Sequence, residues 1–414
     1  MSTADLCQVE HLTAQAGALA DIRRRIHQHP ELAYAEHATA SLVAQLLTEW
    51  GYEVATGIAG TGVVASLKAG TSDRSIGIRA DMDALPIQEA TGLPYASRTA
   101  GVMHACGHDG HTAILLGAAQ YLAQHRGFDG TVRLYFQPAE EAGVDSGAQR
   151  MIAEGLFERF PCDAVFGLHN HPGQPAGRFL FRSGPFMASG DKVTVTVIGK
   201  GSHAARPHLS VDPIVVASSI VMALQTIVSR NVDPAAAAVV TVGVLQAGTA
   251  NNVIPASATL ELSVRAFDSK VRERLRARIE ALVQAQAQSY GATAEIDYVL
   301  GYPVVVNTER ETAFAIEVAR ELVGSDNVDP HFEPVMASED FAFLLQQRPG
   351  CFLRLGNGVG DGIGIGEGGC MVHNPRYDFN DATLPIGAAF WARLVQRYLA
   401  APLSPTLSLP KVDV

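Results

Sequence analysis

Cysteine is scarce: five among 414 residues, at positions 7, 106, 162, 351 and 370, with no repeating interval. A disulfide scaffold needs a dense, even set, so this pattern points to a reducing compartment. Basic side chains are also in deficit. There are 31 Lys and Arg against 42 Asp and Glu, a net charge of -11, which disfavours a nucleic-acid groove and leaves no basic amphipathic face for a membrane. Long apolar runs are missing, and no stretch reads as a bilayer span. Residues 1–8 carry polar and acidic groups where a secretory signal needs a basic start and an apolar run. The expectation is a soluble, unprocessed, cytoplasmic protein that acts on a small molecule and has neither nucleic-acid nor membrane partners.

What is present is enough for two cores. Domains run at about 100 to 200 residues, and apolar residues make up 47% of this longer chain. Apolar spacing predicts helices over 12–29 and 36–50, then strands over 53–56, 62–67 and 75–79, as in a layered α/β domain. His27 and His29, in the last turn before Pro30, read as structural. From about residue 185 the pattern changes to strand 193–198, helix 213–229, strands 238–245 and 258–264, helix 269–289 and strand 293–300. That βαββαβ order is the split βαβ pattern of an α/β sandwich. Helices over 309–322, 339–346 and 382–399 and a strand over 351–355 return to the first style. The domains predicted are therefore 1–184 and 301–414 around an insert, 185–300. The glycine-rich stretch 356–369 lacks the Lys of a phosphate cradle and reads as a flexible loop. The tail, 401–414, with three prolines, reads as loosely ordered.

The chemistry concentrates in Met103-His104-Ala105-Cys106-Gly107-His108-Asp109-Gly110-His111. Cys106 and His108, two apart, would point to opposite faces of a strand, but Gly107 permits a turn that lets both converge. Apolar residues at helical spacing follow, with Asp109 placed to cap that helix. Three further apolar strands end in ligand-type residues: Asp81-Met82-Asp83, Glu140-Glu141 and His169-Asn170-His171. Repeated placement of Asp, Glu and His at the same end of buried strands raises a metal site above coincidence.

These residues carry a resemblance to the di-metal amidohydrolases and metallopeptidases that include aminoacylases, carboxypeptidase G and the hippurate and indole-acetyl-amino-acid hydrolases. The resemblance rests on Arg79-Ala80-Asp81-Met82-Asp83-Ala84-Leu85-Pro86, on the His104 to His111 stretch, on Gln137-Pro138-Ala139-Glu140-Glu141, on Gly167-Leu168-His169 and on His373-Asn374-Pro375. It is closest to the hippurate hydrolase branch and covers nearly the whole chain. It implies a zinc-exopeptidase-like α/β catalytic domain with a mixed sheet between helices, and an inserted ferredoxin-like α/β sandwich that serves as lid and dimerisation domain. It implies that Cys106, His108, Glu141, His169 and His373 hold two divalent ions, Zn²⁺ or Mn²⁺ first and Co²⁺ or Ni²⁺ as further candidates. His171 competes with His169, which is preferred because it follows the strand directly.

Glu140 is then the general acid/base for a metal-activated water. Asp83, Asp109 and His111 orient imidazoles or the water. His203 reaches a partner subunit's site to stabilise an oxyanion, and Asn252 and Arg265 bind the substrate carboxylate. Many peptidase relatives place a His-x-Asp where Asp81-Met82-Asp83 stands; here Cys106 supplies that contribution. The implied function is hydrolysis of N-acyl amino acids by a homodimer. The alternatives are a dipeptidase or carboxypeptidase on the same scaffold and a binding protein that keeps the fold without the chemistry. A zinc nucleobase deaminase is excluded, because its Pro-Cys-x-x-Cys is absent.

Overall fold

The computed structural model describes residues 3–359 and 370–400. The sequence expectations for 360–369 and 401–414 lie outside those residues. Two helices, α1 (Thr3–Ala14) and α2 (Ala16–Gln28), replace the single helix expected over 12–29; they part at Gln15, whose ψ of 2° leaves the helical region. Next come α3 (His37–Glu49), β1 (Glu53–Ile58), β2 (Gly62–Ala69), β3 (Ser75–Asp81), α4 (His108–Gln124), β4 (Gly130–Gln137) and β5 (Ala164–Pro172).

An eight-stranded sheet runs β1-β2-β4-β3-β5 and continues through Gly350–Gly358, Phe179–Leu180 and Val328–Asp329. Its centre is parallel: β3 pairs in parallel with β4 and β5, and β5 with Gly350–Gly358. The β1-β2 and β2-β4 pairs are antiparallel, so the sheet is mixed. All seven residues of β3 are buried, because helices cover both sheet faces and a central strand then needs no polar side. One face packs on α1 to α4 and the helix Leu384–Tyr398, through residues such as Val43, Ile114, Leu134, Phe166 and Trp391. The other face carries Tyr135, Val165, Phe186, Phe341 and Phe352.

The parallel register has a consequence for chemistry. Asp81 stands opposite Gln137, and Arg79 opposite both Tyr135 and Gly167. The C-terminal ends of β3, β4 and β5 therefore share one edge, where open α/β sheets place their sites.

A second, antiparallel sheet has the order Ala238–Ala247, Ser257–Ala266, Ser189–Ile198, Thr293–Val299. Helices Pro213–Asn231 and Ser269–Ser289, capped by Asp212 and Asp268, share with it a separate core of Val193, Val195, Ile220, Leu224, Leu260 and Ile279. Helix Pro213–Asn231, with 19 residues, is long and apolar enough to cross a membrane, contrary to the expectation that no stretch is. Its Val216, Ile220, Leu224 and Ile227 are buried in this core, and exposed Ile214, Val215 and Met222 raise its mean hydropathy further.

A buried ion network fastens α2 to the body. Arg23 Nε lies 2.7 Å from Asp381 Oδ1, and its Nη1 lies 3.4 Å from Asp378 Oδ1 and 3.5 Å from Asp109 Oδ2. His27 Nδ1 bonds Asp109 Oδ2 at 2.8 Å, and its Nε2 lies 3.4 Å from Glu89. Burial alone would lower the His27 pKa, but Asp109 and Glu89 hold it up at about 9. A raised pKa contributes stability that is complete below about pH 6.5 and is lost as the pH climbs through about 9. We therefore expect the urea midpoint of wild type to fall more steeply between pH 7 and 10 than that of His27→Gln; parallel profiles would remove His27 from the linkage. Arg23→Met removes a buried cation shared by three carboxylates and should cost about 3 to 5 kcal/mol in the same measurement.

Candidate metal centre

The site begins with a turn that only glycine can make. Gly107 has φ +91°, and a Cβ there would sit 2.5 Å from Asn170 Oδ1 and 2.7 Å from Tyr377 Oη. The turn ends at His108, where α4 starts with Gly107 as its N-cap. Asp109 does not cap the helix, and it orients none of the clustered imidazoles. Lying in the first turn, its carboxylate is directed at α2, where it meets His27 and Arg23, so both sequence expectations for it are corrected. The second turn is built differently. Ala139 has φ +52°, unfavourable for a residue with a Cβ, and its N–H is held by Glu36 Oε1 at 2.8 Å. This places Glu140 and Glu141 in a short 3₁₀ turn at the end of β4.

The folded chain brings the five proposed ligands together. Donor atoms of Cys106, His108 and His169 lie within 4.8 Å of one another, as do those of Cys106, Glu141 and His373, and those of His108, Glu140 and Glu141. Cys106 belongs to two of these groups. Its Sγ is 3.3 Å from His169 Nε2, and His373 Nε2 is 3.1 Å from Glu141 Oε1. The rings are aimed from behind. Asp83 Oδ1 lies 3.1 Å from His108 Nδ1, while Asp83 Oδ2 accepts the Glu141 N–H at 2.8 Å. His169 Nδ1 bonds the Asn170 carbonyl at 2.7 Å. Each arrangement leaves Nε2 for the cluster, and His108 Nε2 is buried with no hydrogen-bond partner.

His111 sits between Asp81 Oδ1, at 2.6 Å, and Asn170 Oδ1, at 2.7 Å, which occupies both ring nitrogens. His171 turns away to Arg354 at 2.8 Å. An orphaned buried imidazole nitrogen beside a thiol, two further imidazoles and a carboxylate suits a pair of divalent cations.

The charges press in the same direction. Burial, with Glu339, Glu141 and Asp340 around it, holds the Glu140 carboxyl well above the usual range. Burial, with Glu141 beside it, also raises the Cys106 thiol. Hydrogen bonds to Cys106 and Glu141 lift His373 to about 10. Protein alone keeps protons on these groups; cations would replace them.

One residue given no role from sequence holds this edge together. Arg79 is fully buried and donates to Gln137 Oε1 at 2.8 Å, Asp81 Oδ2 at 2.7 Å, and Glu339 Oε1 and Asp340 Oδ1 at 2.9 Å each. The available signal was an arginine inside an otherwise apolar central strand, which demands carboxylates at neighbouring ends. Glu339 and Asp340 are distant in sequence and could not be paired with it in advance. Tyr302, whose hydroxyl bonds the Glu140 carbonyl and accepts from Gly143 N at 2.7 Å, was equally hidden.

A cavity of about 340 Å³ opens over the cluster, lined among others by Cys106, Glu140, His169, His373, Arg265 and Arg354. Arg265 enters from strand Ser257–Ala266, with Nη1 on Ser338 Oγ at 2.8 Å. His203 and Asn252 do not line it. They meet on a two-stranded ribbon, Ser202–His203 with Val253–Ile254, where the Asn252 carbonyl accepts the Ala204 N–H. The reason is geometric. Arg265 pairs with Gly190 and Ser257 with Ile198, so the ribbon leaves the opposite end of a strand roughly 30 Å long.

Known proteins share this arrangement. Residues 77–397 match Peptidase family M20/M25/M40. The chain is 46% identical to a hippurate hydrolase of Campylobacter jejuni over 92% of its own length and 97% of that relative. It is 40% identical to an N-acetyl-L-cysteine deacetylase of Bacillus subtilis, covering 92% of this chain and 88% of the relative. The crystal structure of the Bacillus subtilis YXEP protein, described as a dinuclear metal binding peptidase from the M20 family, superposes with a TM-score of 0.79 at 35% identity, covering 94% of this chain and 99% of the other. With this site on this fold, the chain belongs to peptidase family M20/M25/M40.

Proposed function

We propose that the protein is a metal-dependent amidohydrolase that cleaves the amide between an acyl group and a small amino acid, as the names of its hippurate hydrolase and deacetylase relatives suggest. The observation that carries the reading is Glu140 beside two donor groups that share Cys106. A protein that only bound such molecules would need no buried acid/base there.

Cys106, His169, His108, Glu141 and His373 would hold two divalent cations, with Zn²⁺ favoured by the thiolate and Mn²⁺, Co²⁺ or Ni²⁺ as alternatives. The chemistry such a pair supplies is a polarised amide carbonyl and a water whose pKa drops from about 16 towards about 7. Arg265 takes the substrate carboxylate and fixes the amide over the cluster. Glu140 accepts a proton as water oxygen bonds to the carbonyl carbon. It returns that proton to the amide nitrogen as the C–N bond breaks, which releases a carboxylic acid and an amine. Asp83 keeps His108 and Glu141 in place throughout.

The second sheet acts as lid and dimerisation domain in this reading. Exposed Ile214, Val215, Met222 and Leu245 give it an apolar face for a second copy, and His203 with Asn252 then serves the partner's cavity.

Three outcomes test this. Glu140→Gln should retain its metal and lose about 10²- to 10⁴-fold in kcat on N-benzoylglycine; near-wild-type turnover by metal-loaded variant would remove the general-base role. Cys106→Ala should show a lower metal-to-protein ratio by elemental analysis, and an unchanged ratio would remove the thiol from the ligand set. Mixing inactive Glu140→Gln with inactive His203→Ala, after unfolding and joint refolding, should restore part of the activity, because one site in the mixed dimer then has both groups; no recovery despite dimer exchange would place His203 outside its partner's site.

A further inference from the structure

Arg354 stands on strand Gly350–Gly358 directly opposite His169 of β5 and lines the cavity with Cys106, Glu140 and Arg265. It is 6% exposed, and its surroundings are poor for a buried cation. Nη1 donates to His171 Nδ1 at 2.8 Å and Nη2 to Met187 Sδ at 3.4 Å, while Nε has no partner. A guanidinium only donates, so His171 Nδ1 accepts and that ring is neutral. Among the described residues no carboxylate oxygen lies within 4.0 Å of Arg354. Glu339, which shares the cavity, has its carboxylate on Arg79 at 2.9 Å.

Arg23 and Arg79, the fully buried arginines, each face three carboxylates. Taking a cation out of water without an anion is strongly disfavoured, and where it occurs beside a binding cavity the missing anion is expected from the ligand. Arg265 cannot be that partner and already has the substrate's α-carboxylate in the proposed function.

We propose that Arg354 is a specificity residue for a second anionic group, so that the preferred substrates are N-acyl amino acids carrying two carboxylates. This rests on the amidohydrolase reading above. A planar carboxylate would satisfy the Nε and Nη hydrogens of the fork while neutralising the charge. The second carboxylate comes from a dicarboxylic acyl group or from an acidic amino-acid side chain, and the two sources are separable.

The test measures kcat/KM of metal-loaded enzyme on two near-isosteric pairs, with N-benzoylglycine as reference: N-succinylglycine against its terminal amide, and N-acetyl-L-glutamate against N-acetyl-L-glutamine. We expect the anionic member to be favoured about 10- to 100-fold in one pair, and that pair identifies the source. Arg354→Met should bring the ratio to about one or below, and Arg354→Lys, which keeps the charge without the fork, should fall between. A purely structural Arg354 would lower both members together and leave the ratio unmoved, which would overturn the proposal. Should Arg354→Met not fold, the wild-type ratio and the Lys variant still decide. Turnover of N-benzoylglycine with ratios near one in both pairs overturns this inference alone; no turnover of any amide overturns the amidohydrolase reading and this inference with it.

Discussion

The Arg79 guanidinium is the constraint on which the reactive edge depends. It ties the ends of β3 and β4 to Glu339 and Asp340, which precede the helix Phe341–Gln347. Its charge is outnumbered by the three carboxylates around it, and the imbalance is transmitted. Asp81, shared with His111, is held well below the usual carboxylate range: burial opposes ionisation, but Arg79, His108 and His111 overcome it. Glu339, more weakly compensated, is pushed up to about 8, by burial first. A buried pair of this kind contributes less to net stability than to a single arrangement of strand ends. Here that arrangement fixes where Glu140 and His111 sit.

The neighbouring cluster carries the same deficiency, too many groups that become anionic and too few cations. Burial resists the Cys106 thiolate and the Glu140 carboxylate alike, and the imidazole nitrogens that face them are freed by Asp83 and by the Asn170 carbonyl. Two adjacent regions of one sheet edge therefore solve the same electrostatic problem in different ways. One supplies a permanent cation from the chain. The other leaves donors converging on a common point, as a metal centre requires.

The cavity joins the two sheets. Arg265 comes from the antiparallel sheet and Arg354 from the mixed one, so an anionic ligand bound between them would draw the two units together. The His203 ribbon lies at the far end of the same strands, and strand length alone keeps it from the cavity beside Arg265. In the proposed function a site that uses both takes them from different chains.

Much of this was legible in the chain itself. Periodicity of two in 193–198 and of 3.6 in 269–289 located a strand and a helix of the second sheet and its core, because those elements bury one face each and the pattern is local. Most of the proposed ligands stood out because they end apolar strands or occupy one short turn, whereas His373 was reached only through the resemblance. Asp109 misled, since an acid two residues after a glycine turn has the ordinary look of a cap, while its partners His27 and Arg23 are some eighty residues away. Arg79 with Glu339, and Arg354 with no carboxylate within 4.0 Å among the described residues, were hidden for the same reason: whether a buried charge is paired depends on which distant segments meet it. The sequence by itself determined the elements, the two cores and the residue types able to hold metal, since these follow from local spacing and burial. Only the tertiary structure decided which carboxylates each arginine meets, that Cys106 belongs to two donor groups and that Arg265 and Arg354 face one cavity, because Coulomb energies and hydrogen bonds depend on distances in space that no interval along the chain specifies.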